Sequence, residues 1–363
     1  MERKSHKVLT WVSQHIKSII GITIILTFAI LGVLGAFIRP DKTKNANKQQ
    51  VEIARLAPFS KVSFLNEKTD KKLGYYWHEW LFLGGKTTSG KRYPFTTYTI
   101  ENNQVNVQFI HPTRKNTITY KLYLNQLASN NGDLLEEDQI FLLGTDKFGR
   151  DLLSRLLAGA NISLAVGCIA VLISLVIGTV LGMLAGYYGS WLDKIVMWFV
   201  NVVWSVPTLL MVIAVSLALG KGFVQVFIAV GLTMWVEVAR VVRGEVIRLK
   251  ERTFVKAGLT LGYSHTRLMI NHILPNVWAP VIVISAANFA TAILLEAGLS
   301  FLGVGTQVPM PSWGAIIRDH YEFLTTSSAF LPLFPGLCIV LLVFAFMILG
   351  NVLRDKLDVK KTL

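Results

Sequence analysis

The feature that most constrains this chain is a set of long stretches without a charged side chain. Residues 18–38 and 156–192 contain no Asp, Glu, Lys or Arg. A helix that crosses the hydrocarbon core of a bilayer needs about 20 apolar residues. Charged residues make up 16% of the whole chain, against about 25% in soluble domains. The pattern predicts an all-α membrane protein with several transmembrane helices.

Six apolar stretches satisfy the length requirement. The first, 18–38, is too long for the apolar region of a signal peptide and lacks a small-residue cleavage site before Arg39, so we expect an uncleaved span. The apolar run 156–192 exceeds one crossing, and its start is assigned to an interfacial helix. The predicted spans are 18–38, 163–187, 195–219, 222–243, 277–300 and 328–350.

The distribution of Lys and Arg predicts the orientation. The positive-inside rule places short Lys- and Arg-rich loops in the cytoplasm, and the loop over 240–267 is the richest of them. Six spans then return both termini to the cytoplasm. The formal net charge of +14 is explained in this way, and no basic stripe beside aromatic residues indicates a nucleic-acid partner.

The segment after the first span has a different character. Residues 105–109 alternate Val and Phe with Asn and Gln, and 117–124 is rich in Thr and Tyr. Such runs predict strands, with a turn at His111-Pro112 and Asn116 and a third strand near 96–100. We therefore divide the chain into the N-terminus with the first span (1–38), an extracytoplasmic β-containing insertion (39–142), a membrane core (143–353) that includes a loop over 244–276, and a cytoplasmic tail (354–363).

Motifs for catalysis and cofactor binding are missing. Residues 85–91 read G-x-x-x-x-G-K, but Arg92 replaces the Ser or Thr that would hold Mg²⁺ in a phosphate-binding loop. No HExxH, GxSxG or Cys/His cluster occurs. We expect no catalytic residue, no metal site and no bound cofactor in this chain. Two acidic residues lie in spans, and we expect Glu237 to pair with Arg240 or Arg243.

The loop over 244–276 carries the most informative spacing. A short helical run ends at Gly262, which suits a helix C-cap, and Ala257 and Gly258 add a surface with little side chain. Close approach of another protein's backbone would be possible there. Pro275 is expected to break the helix before the next span.

This loop resembles the coupling motif of ABC importer permeases. Lys256 stands where the family has Glu, and Gly258 replaces its second Ala. Gly262 is the motif's glycine, His272 occupies an Ile position, and Leu274 and Pro275 close the motif. The resemblance implies that these seven residues, Lys256, Ala257, Gly258, Gly262, His272, Leu274 and Pro275, couple the chain to a cytoplasmic ATPase.

A second segment is similar to the signature of the C-type permeases in the dipeptide/oligopeptide branch, which includes nickel permeases. It spans 143–155, and its signature residues are Asp146, Gly149, Arg150, Asp151 and Arg155. Residues 296–305 and 311–314 also resemble this branch, so the likeness covers about 140–360. The gate and translocation candidates that follow from it and from the span pattern are Glu296, Ser300, Pro207 and Trp313.

The resemblance implies the type I importer permease fold and a bacterial inner-membrane subunit that imports short peptides. Its expected partners are a sister permease, two ATPases that bind ATP and Mg²⁺, an extracytoplasmic peptide-binding lipoprotein, the peptide substrate and membrane lipid. Three alternatives remain open: a permease for nickel or another small solute, an ion-driven secondary transporter, and a membrane scaffold or sensor with 39–155 as its sensing part.

Overall fold

A computed structural model describes residues 2–68, 90–130, 133–220, 222–307 and 309–359. The chain divides into two compact units. The membrane unit comprises Met1–Ala29, Ser163–Gln307 and Gly336–Leu363. The insertion unit comprises Ile30–Ile162 and Val308–Pro335, so two separate stretches of sequence build it.

The helices follow the apolar pattern of the sequence, with two short helices after the fifth. They are α1 Glu2–Ile38, α2 Leu152–Tyr188, α3 Ser190–Trp204, α4 Thr208–Leu219, α5 Phe223–Lys250, α6 Thr253–Thr260, α7 His265–Arg267, α8 Leu274–Phe301, α9 Trp313–His320 and α10 Phe330–Val359. Among the described residues, five helices are long and apolar enough to cross a membrane. A bent pair, α3 and α4, makes a sixth crossing if it is counted as one.

The predicted span over 195–219 is a bent pair of helices and not one continuous helix. Helices α3 and α4 meet at an angle of 95°, and Pro207 lies between them as the N-cap residue of α4. Proline lacks the N–H that would continue the hydrogen-bond ladder of α3, and its ring clashes with the preceding turn. The start of α2 also differs from the prediction, because one continuous helix replaces an interfacial helix followed by a span.

Three glycines, each four residues apart, let α2 approach α5 closely. A Cβ on Gly178 would lie 2.5 Å from Cβ of Val238, and one on Gly186 would lie 2.8 Å from Cβ of Val246. Gly182 makes the same kind of contact with the next turn of α5. Small residues at this spacing allow helix backbones to pack directly in membranes, so the α2–α5 contact requires glycine.

The expected helix break at Pro275 is wrong. Residues Leu268–Ile273 form a π-helical stretch, and Pro275 lies in the first turn of α8. The run His265–Phe301 is therefore one long helix. Wider π turns relieve the missing N–H of a proline without ending a helix.

The insertion unit contains two three-stranded antiparallel sheets, with strand orders β2-β1-β8 and β3-β4-β5. The strands are β1 Ser60–Asn66, β2 Arg92–Phe95, β3 Thr97–Glu101, β4 Gln104–Ile110, β5 Thr117–Tyr123, β6 Ser129–Asn130, β7 Asp133–Leu134 and β8 Glu136–Phe141. The predicted strands are β3, β4 and β5, and the predicted turn closes with a bond from the His111 N–H to the Asn116 carbonyl. Their inward residues, such as Val105 and Val107, are fully buried, as alternation requires.

Candidate functional site

The coupling-motif segment begins with α6, which ends in a glycine cap. Gly262 has a φ of +80°, a conformation that other residues adopt at a cost. The Tyr263 N–H donates to the Gly258 carbonyl, and the Gly262 N–H donates to the Leu259 carbonyl, both at 3.0 Å. This pair of bonds is the Schellman arrangement. It satisfies the last carbonyls of α6 and reverses the chain sharply at Gly262.

One face of α6 is buried and the other is exposed. Gly258 is buried, and a Cβ on it would lie 2.7 Å from Cδ2 of Leu268. Its small size therefore serves packing inside the segment. Lys256, Ala257 and Gly262 are exposed.

Three apolar side chains share the exposed part of the segment. Leu261 is 72% exposed, and Phe254 and Leu259 are each about two-fifths exposed. We call these three residues, with Ala257, the apolar knob. Single exposed apolar residues are ordinary, but a group of them on a short exposed helix marks a contact surface. The sequence reasoning did not single out these three side chains, although their clustering in a loop rich in basic residues was a usable signal.

Aromatic stacking holds the rest of the segment. The rings of Tyr263 and His272 stack with centroids 5.6 Å apart, and the guanidinium of Arg267 lies 4.2 Å from the Tyr263 ring. Leu274 is half-buried and Pro275 is exposed.

Lys256 makes a local ion pair. Its Nζ lies 2.8 Å from a carboxylate oxygen of Glu251, and that hydrogen bond lowers the pKa of the Glu251 carboxyl. Both side chains are exposed, so the pair contributes little to stability. Lys256 remains able to exchange this partner for another acid.

A polar cluster closes the end of α8 in the membrane unit. Glu296 and Ser300 are fully buried. The Ser300 hydroxyl donates to one carboxylate oxygen of Glu296 at 2.6 Å, and the Ser163 hydroxyl lies 3.5 Å from the other. The Thr306 N–H donates to Ser300 Oγ at 3.2 Å. These bonds attach the loop after α8 to the helix end.

The signature segment is buried in the insertion unit. One carboxylate oxygen of Asp146 accepts from the Phe148 and Arg150 backbone N–H groups at 2.8 and 3.0 Å, and the other accepts from Arg150 Nε at 2.6 Å. Gly149 has a φ of +71°, and a Cβ on it would lie 1.7 Å from the Gln50 carbonyl oxygen. The Gln50 N–H donates to the Phe148 carbonyl at 3.0 Å. The segment is therefore bound to the start of the insertion.

The remaining signature residues join the segment to α2 and α9. Asp151 caps α2 by accepting from the Ser154 N–H at 2.9 Å and from its hydroxyl. Arg155 is buried and lies 3.4 Å from the Pro309 carbonyl oxygen. Trp313 is buried too, and its indole N–H donates to the Leu156 carbonyl at 3.1 Å. Trp313 thus anchors α9 on α2 within the insertion unit.

The expected pairing of Glu237 with an arginine is wrong. Arg243 donates two hydrogen bonds to Asp193 at 2.5 and 2.6 Å, and the guanidinium of Arg240 lies 3.4 Å from the centroid of the Trp204 ring. Glu237 itself is exposed on α5. Pro207, which lies at the bend between α3 and α4, is exposed. It follows Trp204 by three residues.

The part of the chain that the structure describes contains no group of candidate metal ligands. Most of the run that resembles a nucleotide-binding loop lies outside that part. Within the described part, no three His, Cys, Asp or Glu side chains come together as metal ligands. Residues 85–89 of the G-x-x-x-x-G-K run lie outside the described residues. The Lys91 N–H donates to the Glu67 carboxylate at 3.0 Å, just before β2.

Comparison with known proteins gives one family match. Residues 178–362 match the model of the "binding-protein-dependent transport system inner membrane component" family. That range includes the coupling-motif segment and Glu296 and excludes the signature segment.

Several curated relatives are similar over about three-fifths of the chain. The dipeptide transport system permease protein DppC of Alkalihalophilus pseudofirmus is 42% identical over 217 residues, which cover 60% of this chain and 71% of that protein. The glutathione transport system permease protein GsiD of Pectobacterium atrosepticum is 40% identical over 60% of this chain and 72% of its own. The oligopeptide transport system permease protein OppC of Bacillus subtilis is 40% identical over 60% and 71%.

Solved structures are less similar to this chain than the curated relatives are. An inward-facing form of the MetNI methionine ABC transporter matches with a TM-score of 0.46 and 18% identity, over 55% of this chain and 95% of that one. A structure described as an amino acid ABC transporter with histidines matches with a TM-score of 0.41 and 15% identity.

Proposed function

Because the chain belongs to the family of binding-protein-dependent transport system inner membrane components, we propose that it is a permease subunit of an ATP-driven importer of short peptides. The observation that carries the choice of cargo is the set of relatives about 40% identical to it, which are permeases for dipeptides, oligopeptides and glutathione. Glutathione is a γ-linked tripeptide, so it shares amide groups and terminal charges with ordinary short peptides.

The apolar knob supports an ATPase partner. It presents Phe254 and Leu259 on α6 and Leu261 at its C-cap, and a glycine cap and the buried Leu268 hold this helix in place. A rigid apolar projection can enter a groove on another protein and transmit its motion. We assign this role to the loop, with the exposed Lys256 and Ala257 at the same surface. ATP and Mg²⁺ are then bound by two ATPase subunits, and this chain is not itself catalytic.

The orientation follows from the same assignment. If the knob meets a cytoplasmic ATPase, the Lys- and Arg-rich loop and both termini lie in the cytoplasm, as the positive-inside rule requires. The insertion unit then lies outside. Because 308–335 folds with the insertion, the two stretches form one surface on which an extracytoplasmic peptide-binding lipoprotein would dock. A sister permease completes the translocation path, in which Glu296, Ser300 and Pro207 remain gate candidates.

The test is peptide uptake by proteoliposomes that contain the complete transporter. In the wild type, added peptide and its binding protein should stimulate ATP hydrolysis and uptake. Leu261→Asp should lower both by about tenfold or more, because a charge replaces an apolar contact at an interface. The thermal stability of the subunit should not change, since Leu261 is 72% exposed.

The matched control is Leu261→Ile, which keeps the apolar surface and should retain uptake. Normal peptide-stimulated ATP hydrolysis in Leu261→Asp and in Gly262→Val would contradict the coupling role. Uptake of nickel in place of peptides by the wild-type complex would contradict the cargo.

A further inference from the structure

Glu237 lies in the second half of the predicted span 222–243. This span forms most of α5, Phe223–Lys250, and Glu237 is about 22 Å along the axis from the first residue of the span and about 9 Å from its last. Its side chain is exposed on the surface of the chain. A carboxylate within a span is costly in lipid, and such residues usually face a water-filled cavity or a partner.

The carboxylate lines a small cavity of about 40 Å³. Residues from four helices form its wall, among them Trp204, Thr208, Thr233 and Thr291. We call this cavity the ammonium niche. A site of this volume admits a small number of water-sized groups.

The hydroxyl groups of the niche act as acceptors. The Thr233 hydroxyl donates its proton to the Val230 carbonyl at 2.9 Å, and the Thr291 hydroxyl donates to the Ala287 carbonyl at 3.1 Å. A threonine oxygen that has committed its proton keeps lone pairs for a donor. Together with the carboxylate, the niche therefore offers acceptors to a small group that carries several N–H donors.

The nearby cations of the chain are already engaged. Arg243 binds Asp193 with two hydrogen bonds, and Arg240 lies against the face of Trp204. Among the described residues, none forms an ion pair with Glu237. Its charge is therefore available to a cation from outside the chain.

We propose that the ammonium niche binds the primary ammonium group of a peptide during translocation. This inference rests on the proposed function. A primary ammonium is water-sized, carries one positive charge and has three N–H donors, which match one carboxylate and the threonine oxygens. Every unmodified short peptide that does not begin with proline has this group at its N-terminus, so the niche would recognise a feature that is independent of the peptide's side chains.

The experiment compares a lysine-free peptide with its N-acetylated form. Uptake is measured in proteoliposomes of the complete transporter, with the binding protein saturated by each peptide. In the wild type the free peptide should enter faster. Glu237→Gln should reduce free-peptide uptake about tenfold or more, as expected for the loss of one charge-assisted hydrogen bond, and should leave uptake of the acetylated peptide unchanged.

Two further variants sharpen the result. Glu237→Asp keeps the charge and should retain part of the preference for the free peptide. Thr291→Val removes one acceptor and should lower free-peptide uptake less than Glu237→Gln does. The control is Thr27→Val in α1, which removes a hydroxyl with the same kind of bond to a carbonyl in its own helix and should change nothing.

The outcomes separate this inference from its premise. If the wild type imports neither peptide, the proposed function fails and the niche fails with it. If both peptides enter and Glu237→Gln slows them equally, or releases the sister permease on purification, the carboxylate pairs with a cation of that subunit and the inference is wrong. An acetylated peptide that contains lysine and depends on Glu237 would support the same chemistry with a lysyl ammonium as its source.

Discussion

Two short motif-bearing segments of this chain use their side chains in opposite ways. In the signature segment, Asp146 and Arg150 are almost wholly buried and bind each other and the surrounding backbone. In the coupling-motif segment, Leu261 and Phe254 face outward. The charged side chains of the first segment hold the insertion unit together. The second segment leaves its apolar side chains exposed, where another protein could contact them.

The difference teaches that a recognisable motif does not by itself mark a contact surface. Gly149 in the signature segment and Gly258 in the coupling-motif segment are both required by packing, since a Cβ on either would clash with a neighbour. Gly262 meets nothing within 4 Å and serves the turn alone. Substitutions that separate stability from transport can test this contrast directly.

The largest expected loss of stability is that of Asp146→Ala. The change leaves the buried Arg150 guanidinium without its carboxylate and removes the acceptor of two backbone N–H groups. Breaking a buried ion pair on one side costs about 3–5 kcal/mol. Asp138→Ala, which breaks the exposed pair with Lys61, should cost less than about 1 kcal/mol. Thermal unfolding in detergent measures both, and equal losses would contradict the contrast.

A smaller loss is expected within α6 itself. Gly258→Val places methyl groups against the buried Leu268, and overpacking of this kind costs about 1–3 kcal/mol. Ala257→Val, on the exposed face, should cost less than about 0.5 kcal/mol. The double variant with Leu268→Ala and Gly258→Val should lose less stability than the sum of the two single variants, because the valine fills space that the leucine vacates. If the double variant loses as much as the two single variants together, the two side chains do not meet.

The smallest effect concerns pH and should appear in the insertion unit alone. His320 donates from Nδ1 to the Ile316 carbonyl and accepts the Lys147 N–H at Nε2, and burial lowers the pKa of its imidazole despite the nearby Asp146 and Asp319. Burial likewise lowers the pKa of His111. As the pH falls, these imidazoles bind protons in the unfolded chain at a higher pH than in the folded chain. The free energy of unfolding is therefore unaffected by them above pH ~6.5 and decreases as the pH falls below that value.

The loss for His320 should reach at most about 1.4 kcal/mol for each pH unit. Hydrogen exchange of α9 and of the turn after β4, followed from pH 7.5 to 5, measures it. In His320→Gln the part of the pH dependence at α9 should disappear. Equal acid loosening of α6 in the same samples would show a general effect and contradict the assignment to these imidazoles.

The fold was predictable where local patterns decide it. Alternation around Val105 and Val107 predicted β4 and its neighbours, because one face of that sheet is buried. Strand β8 was missed, since its sequence, EEDQIF, is acidic and buries only its last residue fully. Pro207 was expected to allow a local bend, but a continuous apolar run does not reveal that two helices meet there at 95°. At Pro275 a helix break was expected, but a π-helical stretch accommodates the proline and the helix continues.

The candidate sites were predictable as sequence positions but not as environments. The spacing to Gly262 indicated a capped helix, and the cap is present. Whether Gly258 lies outside or inside the segment depends on Leu268, which no spacing rule includes. The ammonium niche joins Glu237 to threonines from three helices, and only the packing of those helices brings them together.

The anchoring of Trp313 on α2 has a consequence for biosynthesis. The ribosome makes Trp313 about 150 residues after Gly159, the residue against which its ring packs. At roughly 5–20 residues per second, that interval lasts on the order of 8–30 s. This part of α2 therefore stays uncovered while most of the remaining spans are translated, and the insertion unit is completed late in synthesis.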